Sequence, residues 1–288
     1  DRRLSERGED VRTIPAQDVI DAVAHAAVEI NYQLDEGMVA ALEEAREAES
    51  SPVAREVLDQ VLENARIAAE GTFPLCQDTG LMVAFVELGE EVRVSGGLAA
   101  ALTAGVRRGT EEGYLRRTVC DPFTRANTGD NTPMAIHTAL VPGDGLVIDL
   151  LAKGGGSENM SRAGVLAPAA GEQGVVEYAV ETVRAGAVNA CPPLLVGLGV
   201  GGDLELAATQ AKRALTRPLG QPADDERIAR IEAETLRRIN RLGIGPAGLG
   251  GRTTALAVHA AAMPCHIASL PVAVVLQCHA HRHQRIEL

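Results

Sequence analysis

Short apolar runs alternate along the chain with stretches of helical apolar period, and this alternation restricts the fold more than any other feature. Apolar residues at every third or fourth position predict amphipathic helices, whereas short apolar runs bounded by glycine or proline predict buried strands. Because the two patterns mix throughout, we expect an α/β or mixed α+β fold. It should have a helical amino-terminal region followed by mixed sheets flanked by helices.

The predicted helices begin in the first part of the chain. One shared apolar face consists of Val19, Val23, Ala26, Ala27 and Ile30, and a second of Val53, Val57, Val61, Ala65 and Ala68. Pro15 and Pro52 suit first-turn positions of these helices. Further helices are predicted at 98–109, 172–184 and 204–215, and in a charged stretch ending near Leu242.

Apolar runs predict the strands. They lie at 81–88, 134–140, 146–152 and 194–198, followed by two runs that end at Gln277. The turn sequence Pro142–Gly145 predicts a hairpin or tight turn between the second and third runs. No repeat and no sharp boundary is visible, so we expect one domain.

Composition excludes some classes of function. Nearly half of the 288 residues are apolar, but only 2% are aromatic and Trp is absent, so the core should consist of Ala, Val and Leu. The formal charge of −12, without a dense basic tract, argues against nucleic acid or anionic lipid as a partner. No apolar run could span a bilayer, and Asp1–Arg7 lacks a hydrophobic signal region, so we expect a cytoplasmic protein.

Five cysteines without close pairs do not suggest a disulfide framework. Cys76, Cys191 and Cys278 each lie where a loop meets an apolar run, a position from which a thiol can point into a pocket. Cys120 and Cys265 lack such turns. From the residues alone, the first three are either buried small hydrophobic residues or metal ligands that the tertiary structure brings together.

Five ordered segments resemble one enzyme family. They are Pro74–Gly80, Asn127–Pro133, Lys153–Ser161, Cys191–Pro193, and Pro264–Pro271 running on to Cys278. Together they are similar to the alpha subunit or amino-terminal domain of class I, iron-sulfur fumarases and the related L-tartrate dehydratases. The similarity spans nearly the whole chain, so it implies a single iron-sulfur hydro-lyase alpha-type catalytic domain over residues 1–288.

The resemblance implies a cofactor and a reaction. Cys76, Cys191 and Cys278 match the three ligands of a [4Fe-4S] cluster in which one iron has no protein ligand. Such an iron can act as a Lewis acid on a substrate hydroxyl. The implied reaction is the reversible hydration of fumarate to (S)-malate. Dehydration of L(+)-tartrate to oxaloacetate is the alternative, and methylated fumarates also remain open as substrates.

The resemblance also assigns roles to other residues. Substrate binding is implied for Gln77, Asp78, Arg116, Lys153, Gly155 and Gly156, and catalytic roles for Asp78 and His266. Asp78 is a candidate acid toward the departing hydroxyl, and His266 could tune its proton. Two alternatives stay open: Asp78 could shape an Asx-turn, and the glycine run could be a flexible loop.

A partner is implied as well. The family divides its active site between two domains, and His281–Leu288 resembles the end of the alpha subunit. A separate beta subunit should therefore complete the site and bring the proton-abstracting base, in a heterotetramer of two alpha and two beta chains. The other histidines, including His279, His281 and His283, are expected in solvated or structural positions.

Two competing interpretations remain. Gly197, Gly199 and Gly202 fit the dinucleotide-binding pattern G-x-G-x-x-G, but the following helix leads into a second helix and not into a second strand with an acidic ribose ligand. The second alternative is a non-catalytic scaffold subunit whose cysteines hold a structural metal.

Overall fold

The computed structural model describes residues 11–288, so the segment on which the absence of a signal region was predicted lies outside the described residues. The elements are, in chain order, β1 (Arg12–Ile14), α1 (Ala16–Tyr32), α2 (Glu36–Ala48), α3 (Pro52–Ala69), β2 (Leu81–Gly89), β3 (Val92–Val94), α4 (Leu98–Glu112), β4 (Ala135–Val141), β5 (Leu146–Lys153), α5 (Gly155–Glu158), β6 (Arg162–Leu166), α6 (Gly171–Gly186), β7 (Leu194–Gly202), α7 (Leu204–Ala214), α8 (Glu226–Asn240), β8 (Ala255–Cys265), β9 (Leu270–Gln277) and β10 (Arg282–Glu287). Among these residues no helix is both long enough and apolar enough to cross a bilayer.

The chain divides into two compact units, and each is built from separated segments. Unit 1 contains the described residues through Gln33, Cys76–Lys153 and Arg282–Leu288. Unit 2 contains Leu34–Leu75 and Gly154–His281. The single-domain assignment stays a prediction.

Unit 1 is built on a four-stranded mixed sheet in the order β10-β5-β2-β4. β2 pairs parallel with β4 and antiparallel with β5, and β10 closes the other side of β5. The Pro142–Gly145 turn therefore connects two strands that lie on either side of β2, so of the two predicted alternatives the hairpin is absent and the tight turn is present. Both β4 and β5 pair with β2 and not with each other, because the continuous apolar face of β2 can be buried on both sides of the sheet.

Side chains alternate between the two faces of this sheet. Met82, Ala84 and Val86 of β2 point into the main core of the unit, together with apolar residues of α1 and α4. Val83 and Phe85 point to the opposite face, where the Phe85 ring stacks on His137 at a centroid distance of 5.2 Å. The predicted apolar face of α1 is fully buried in the main core.

Unit 2 is a three-layer sandwich around the sheet β6-β9-β7-β8. Alternating residues of β7 and β9 serve opposite faces: Leu194, Val196 and Leu198 pack with α6 and α8, whereas Leu195 packs with α2, α3 and α7. β7 and β8 are parallel and are joined by the crossover through α7 and α8. Helices on both faces of a mixed sheet confirm the predicted α/β class.

The glycines of β7 allow α7 to lie directly on the strand. A Cβ on Gly199 would stand 1.9 Å from the carbonyl oxygen of Ala207, and one on Gly197 would stand 2.0 Å from that of Ala211. Gly197 and Gly199 therefore lie within a strand and face the backbone of α7. They do not form a phosphate-binding turn. The parallel strand that follows, β8, ends in Met263, Pro264 and Cys265 without an acidic residue, which removes the basis for the dinucleotide interpretation.

One detail of the sequence interpretation is wrong: Val53 is exposed, because α3 buries a face that contains Ala54 and Leu58. α2 lies inside the predicted helical amino-terminal region, although no apolar face was assigned to it. Of the two positions expected for the last histidines, solvated or structural, His281 takes the structural one: it is 1% exposed and directly precedes β10, which adds to the sheet.

Candidate active site

The loop from Cys76 to Gly80 is held in a defined shape by its own polar atoms. The carboxylate of Asp78 accepts a hydrogen bond from the amide of Gly80 at 2.9 Å, which is an Asx-turn, and the Asp78 amide donates to the Cys76 sulfur at 3.4 Å. Gly80 has a φ of +79°, a conformation that glycine adopts without strain. The structural alternative for Asp78 is therefore present, and Gln77 beside it is exposed to solvent.

The segment Asn127–Pro133 fixes this loop to the loop that carries Arg116. The buried side chain of Asn131 donates to the carbonyl of Gly80 at 3.1 Å and accepts from the amide and the hydroxyl of Thr118 at 2.8 and 3.0 Å. The Thr118 hydroxyl also lies 3.1 Å from the Gly80 carbonyl. Arg116 is exposed and lies two residues before Thr118, in the segment that Asn131 connects to Gly80 at the end of the Asp78 loop.

Asp130 shapes the same segment. Its carboxylate accepts hydrogen bonds from the hydroxyl and the amide of Thr132 at 2.7 and 3.0 Å, and it pairs with Arg107 at 2.8 Å. The bond from the Thr132 hydroxyl is the main cause that lowers the pKa of Asp130 below its ordinary value. The carboxylate therefore stays ionised and keeps Asn131 in its position at φ +61°.

Strand register gathers positive charge at one end of the unit 1 sheet. Lys153 lies opposite Leu81, directly after the Cys76–Gly80 loop, and Arg282 lies opposite Ala152. Lys153 is 2% exposed and Arg282 is 1% exposed. Unit 1 thus contains the loop of Gln77 and Asp78, the segment of Arg116, and Lys153 at the end of the sheet next to that loop. Arg282, which was not predicted from the sequence, lies at the same end.

Unit 2 brings Cys191 and Cys278 together. β7 and β9 are antiparallel with Leu195 opposite Gln277, so Cys191 precedes the start of one strand and Cys278 follows the end of its neighbour. The amide of His279 donates to the Cys191 carbonyl at 3.4 Å, which extends the pairing to these two segments. Cys191 is exposed and Cys278 is partly exposed, so neither is the fully buried hydrophobic residue of the structural alternative.

Gly155 and Gly156, the two glycines predicted to contact the substrate, lie at the end of unit 2 that carries Cys191 and Cys278. Gly155 and Gly156 lie in the short helix α5, and a Cβ on Gly156 would stand 3.4 Å from the carbonyl oxygen of Asn189, two residues before Cys191. Ser161 then accepts a hydrogen bond from the amide of Leu276 at 3.1 Å, close to Cys278. The glycine run is therefore an ordered helical turn and not a flexible loop.

His266 lies at the opposite end of the unit 2 sheet. It follows the end of β8, where Cys265 pairs with Gly202, whereas Cys191 and Cys278 flank the Leu194 end of β7. The length of β9 separates the two places. Nδ1 of His266 accepts a hydrogen bond from the amide of Ala268 at 3.1 Å, so the exposed loop presents Nε2 to solvent.

The thiol set suits an iron-sulfur cluster better than a single metal ion. All five cysteines are thiols, and Cys76, Cys191 and Cys278 each keep some exposure. Among residues 11–288, no group of three or more His, Cys, Asp or Glu side chains is arranged to hold one metal ion. In a cubane each thiolate binds a different iron, so its ligands do not converge on a common atom, and the chemistry of the donors fits. Cys120 lies in an isolated bridge with Asn127, and the Cys265 sulfur donates to the carbonyl of Ser269 at 3.2 Å.

The chain was compared with known protein families and with named relatives. The sequence model of the family described as fumarate hydratase (Fumerase) matches residues 20–287. The chain belongs to this fumarate hydratase family. Its relatives in the family include L(+)-tartrate dehydratase subunit alpha of Escherichia coli (strain UTI89 / UPEC), 33% identical over 91% of this chain and 88% of the relative. The corresponding subunit of Shigella boydii serotype 4 (strain Sb227) shows the same values. A protein of Methanocaldococcus jannaschii, provisionally named as the same subunit, is 39% identical over 94% of this chain and 98% of its own length.

Proposed function

We propose that the chain is the alpha subunit of an iron-sulfur hydro-lyase that hydrates and dehydrates a C4 dicarboxylate, with fumarate and (S)-malate as the principal pair. The observation that carries this proposal is the position of Cys191 and Cys278 at adjoining strand ends, where the His279 amide donates to the Cys191 carbonyl, in a chain of the fumarate hydratase family. One exposed and one partly exposed thiol held at adjoining strand ends are suited to ligation.

The proposed cluster ligands are Cys76, Cys191 and Cys278. Leu75, which directly precedes Cys76, is buried in unit 2 in one apolar cluster with Ala280 and Cys278, and Asn64 donates to its carbonyl at 2.9 Å. This anchoring of Leu75 supports the inclusion of Cys76. A [4Fe-4S] cluster with one iron free of protein ligands would supply a Lewis acid for the substrate hydroxyl.

The residues of unit 1 would bind and orient the substrate. Arg116 and Lys153 provide positive charge for the carboxylates, with the planar guanidinium suited to a two-point contact. Gln77 can donate to a carboxylate or hydroxyl oxygen. Asp78 would hold the proton that accompanies the departing hydroxyl, and its Asx-turn fixes the direction of the carboxylate. Backbone amides of Gly155 and Gly156 are also proposed to contact the substrate.

Tartrate dehydration is the second candidate. It is favoured by the names of the Escherichia coli and Shigella boydii relatives, which are L(+)-tartrate dehydratase alpha subunits. Tartrate differs from malate by one hydroxyl, and discrimination requires a hydrogen-bonding partner for that group. The word subunit in these names supports a separate beta chain that completes the site in the proposed heterotetramer.

The test is anaerobic reconstitution of the chain with iron and sulfide, together with its co-expressed beta chain, followed by assays of malate and tartrate dehydration. We expect oxygen-sensitive activity and four iron atoms per alpha chain. Replacing Cys76, Cys191 or Cys278 with serine should reduce activity at least about a thousandfold, since loss of a ligand removes the Lewis acid.

Cys120→Ser and Cys265→Ser are the matched controls, and both should keep near wild-type activity and iron content. Undiminished turnover in a Cys191→Ser or Cys278→Ser enzyme would contradict the proposal, and so would full activity after exposure to air.

A further inference from the structure

Arg282 is a buried cation whose partners are neutral. The residue is 1% exposed, and its Nη1 donates to the side-chain oxygen of Asn31 at 2.8 Å and to the backbone carbonyl of Asp78 at 2.7 Å. Its Nε has no hydrogen-bond partner among residues 11–288. Both acceptors are neutral oxygens, so neither of these hydrogen bonds is an ion pair.

Such an arrangement is unfavourable by itself. Moving a charge from water into a protein interior raises the free energy unless an opposite charge or a full set of hydrogen bonds offsets it. The cost falls when an anion binds nearby, because Coulomb attraction is strong where water is excluded. A buried arginine with neutral hydrogen-bond acceptors and an Nε that has no partner within the described part of the chain therefore indicates an anion that binds beside it.

The contacts of Arg282 also fix its position. Asn31 is 0% exposed, and its amide nitrogen donates to the carbonyl of Ala27 one turn earlier in α1 at 2.8 Å. That bond directs the Asn31 oxygen toward Arg282. The guanidinium is thereby locked between α1 and the carbonyl of Asp78, at the end of the sheet where Lys153 also lies.

We propose that Arg282 is a positioning residue: it holds the Cys76–Gly80 loop through the carbonyl of Asp78, and its charge is balanced by the anion that binds at that loop. This inference rests on the proposed function, in which both a thiolate-bound cluster and a dicarboxylate supply negative charge. Arg282 itself does not contact the reacting atoms. Its effect on the site is electrostatic and conformational.

The experiment compares variants in the reconstituted complex with the beta chain. Binding of succinate, a dicarboxylate with no hydroxyl to lose, is measured by calorimetry, and malate turnover is measured separately. Arg282→Gln removes the charge, and we expect the Kd for succinate and the KM for malate to rise about tenfold, as for loss of one charge-assisted interaction. Arg282→Lys retains the charge but not the planar fork, so Kd should stay within about threefold while kcat falls about tenfold.

Asn31→Asp is the second variant, and it keeps the side-chain shape. A carboxylate at this position would neutralise Arg282 in place, so succinate affinity should fall about tenfold in a protein that remains folded. Arg285→Gln is the matched control, because Arg285 lies on the same strand, is half exposed and pairs with Asp149. It should leave both Kd and kcat unchanged.

Unchanged succinate affinity in Arg282→Gln and Asn31→Asp would overturn the inference, and so would equal losses in Arg282→Gln and Arg282→Lys. The proposed function fails in a different way: the wild-type complex would then not dehydrate malate or tartrate, whatever the result for succinate.

Discussion

Glu49 is a carboxylate that joins distant parts of unit 2. It is 1% exposed and accepts hydrogen bonds from the amides of Ser50, Ser51 and Arg252 at 2.8, 2.9 and 2.6 Å. Burial acts to raise the pKa of Glu49, but the hydrogen bonds from Ser51, Arg252, Ser50 and Thr253 outweigh it and hold the pKa below its ordinary value of 4.5. The ionised form is thus stabilised by folding.

Replacing Glu49 should destabilise unit 2 at neutral pH. Glu49→Gln puts an amide among backbone donors, and we expect the free energy of unfolding to fall by about 3 kcal/mol. Because the folded pKa is lowered, the contribution of Glu49 is complete above pH 4.5 and is lost as the pH falls through the folded pKa. Urea unfolding at pH 7 and at lower pH checks both statements. The exposed Glu56→Gln serves as control, and an equal effect of the two substitutions would contradict the assignment.

At the scale of single residues, the sequence predicted a local conformation only where a short motif is typical of that conformation. The Asx-turn that the sequence left open as an alternative role for Asp78 is present, while its catalytic role stays a prediction. Asn131 lay inside a segment that was recognised, but its role in joining two loops depends on contacts with Gly80 and Thr118 that no spacing reveals. Arg282 gave no signal, because its burial follows from the addition of β10 to the sheet.

Secondary elements were predictable where a period was long and continuous. The helices α1, α4, α6 and α7 and the apolar strands β2, β7 and β9 follow from their patterns. Strand partners did not follow from local sequence: β2 lies between β4 and β5, although a tight turn joins those two strands. Pairing is decided by which apolar faces can be buried together, and that depends on helices far away in the chain.

The close approach of α7 to β7 predicts a strong effect of one methyl group. In Gly199→Ala the new Cβ would overlap the Ala207 carbonyl, so the helix must move, and we expect a loss of about 3 kcal/mol in the free energy of unfolding. Gly145→Ala is the control, since nothing lies within 4 Å of its Cβ position. Thermal unfolding of both variants tests the difference. Similar melting temperatures would show that β7 and α7 can separate without cost.

At the scale of the whole molecule, His266 and the Cys191–Cys278 pair lie at opposite ends of one sheet. The span of β9 is about 25 Å, from a rise of about 3.3 Å per residue. Both ends belong to unit 2, so His266 cannot act at the two cysteines of its own chain. If it contributes to the proposed site, it does so in a second copy.

Mixed assemblies test this consequence. Cys191→Ser and His266→Ala complexes should each be inactive alone, because each lacks one member of every site. Co-assembly of the two chains should recover about a quarter of wild-type activity, since half of the random pairs contain one intact site of two. The control mixes Cys191→Ser with Cys278→Ser, which cannot restore a site. Absence of recovery in the first mixture would show that His266 does not serve a second copy.

The sheet of unit 1 is completed by the last described strand, and this has a consequence for biosynthesis. Arg282 supports the carbonyl of Asp78 from 204 positions further along the chain. While the ribosome is still adding the intervening residues, the loop that follows Cys76 has been made but lacks its support. Loading of the proposed cluster is therefore expected to follow translation of β10, and a nascent polypeptide halted before β10 should be a poor acceptor for iron.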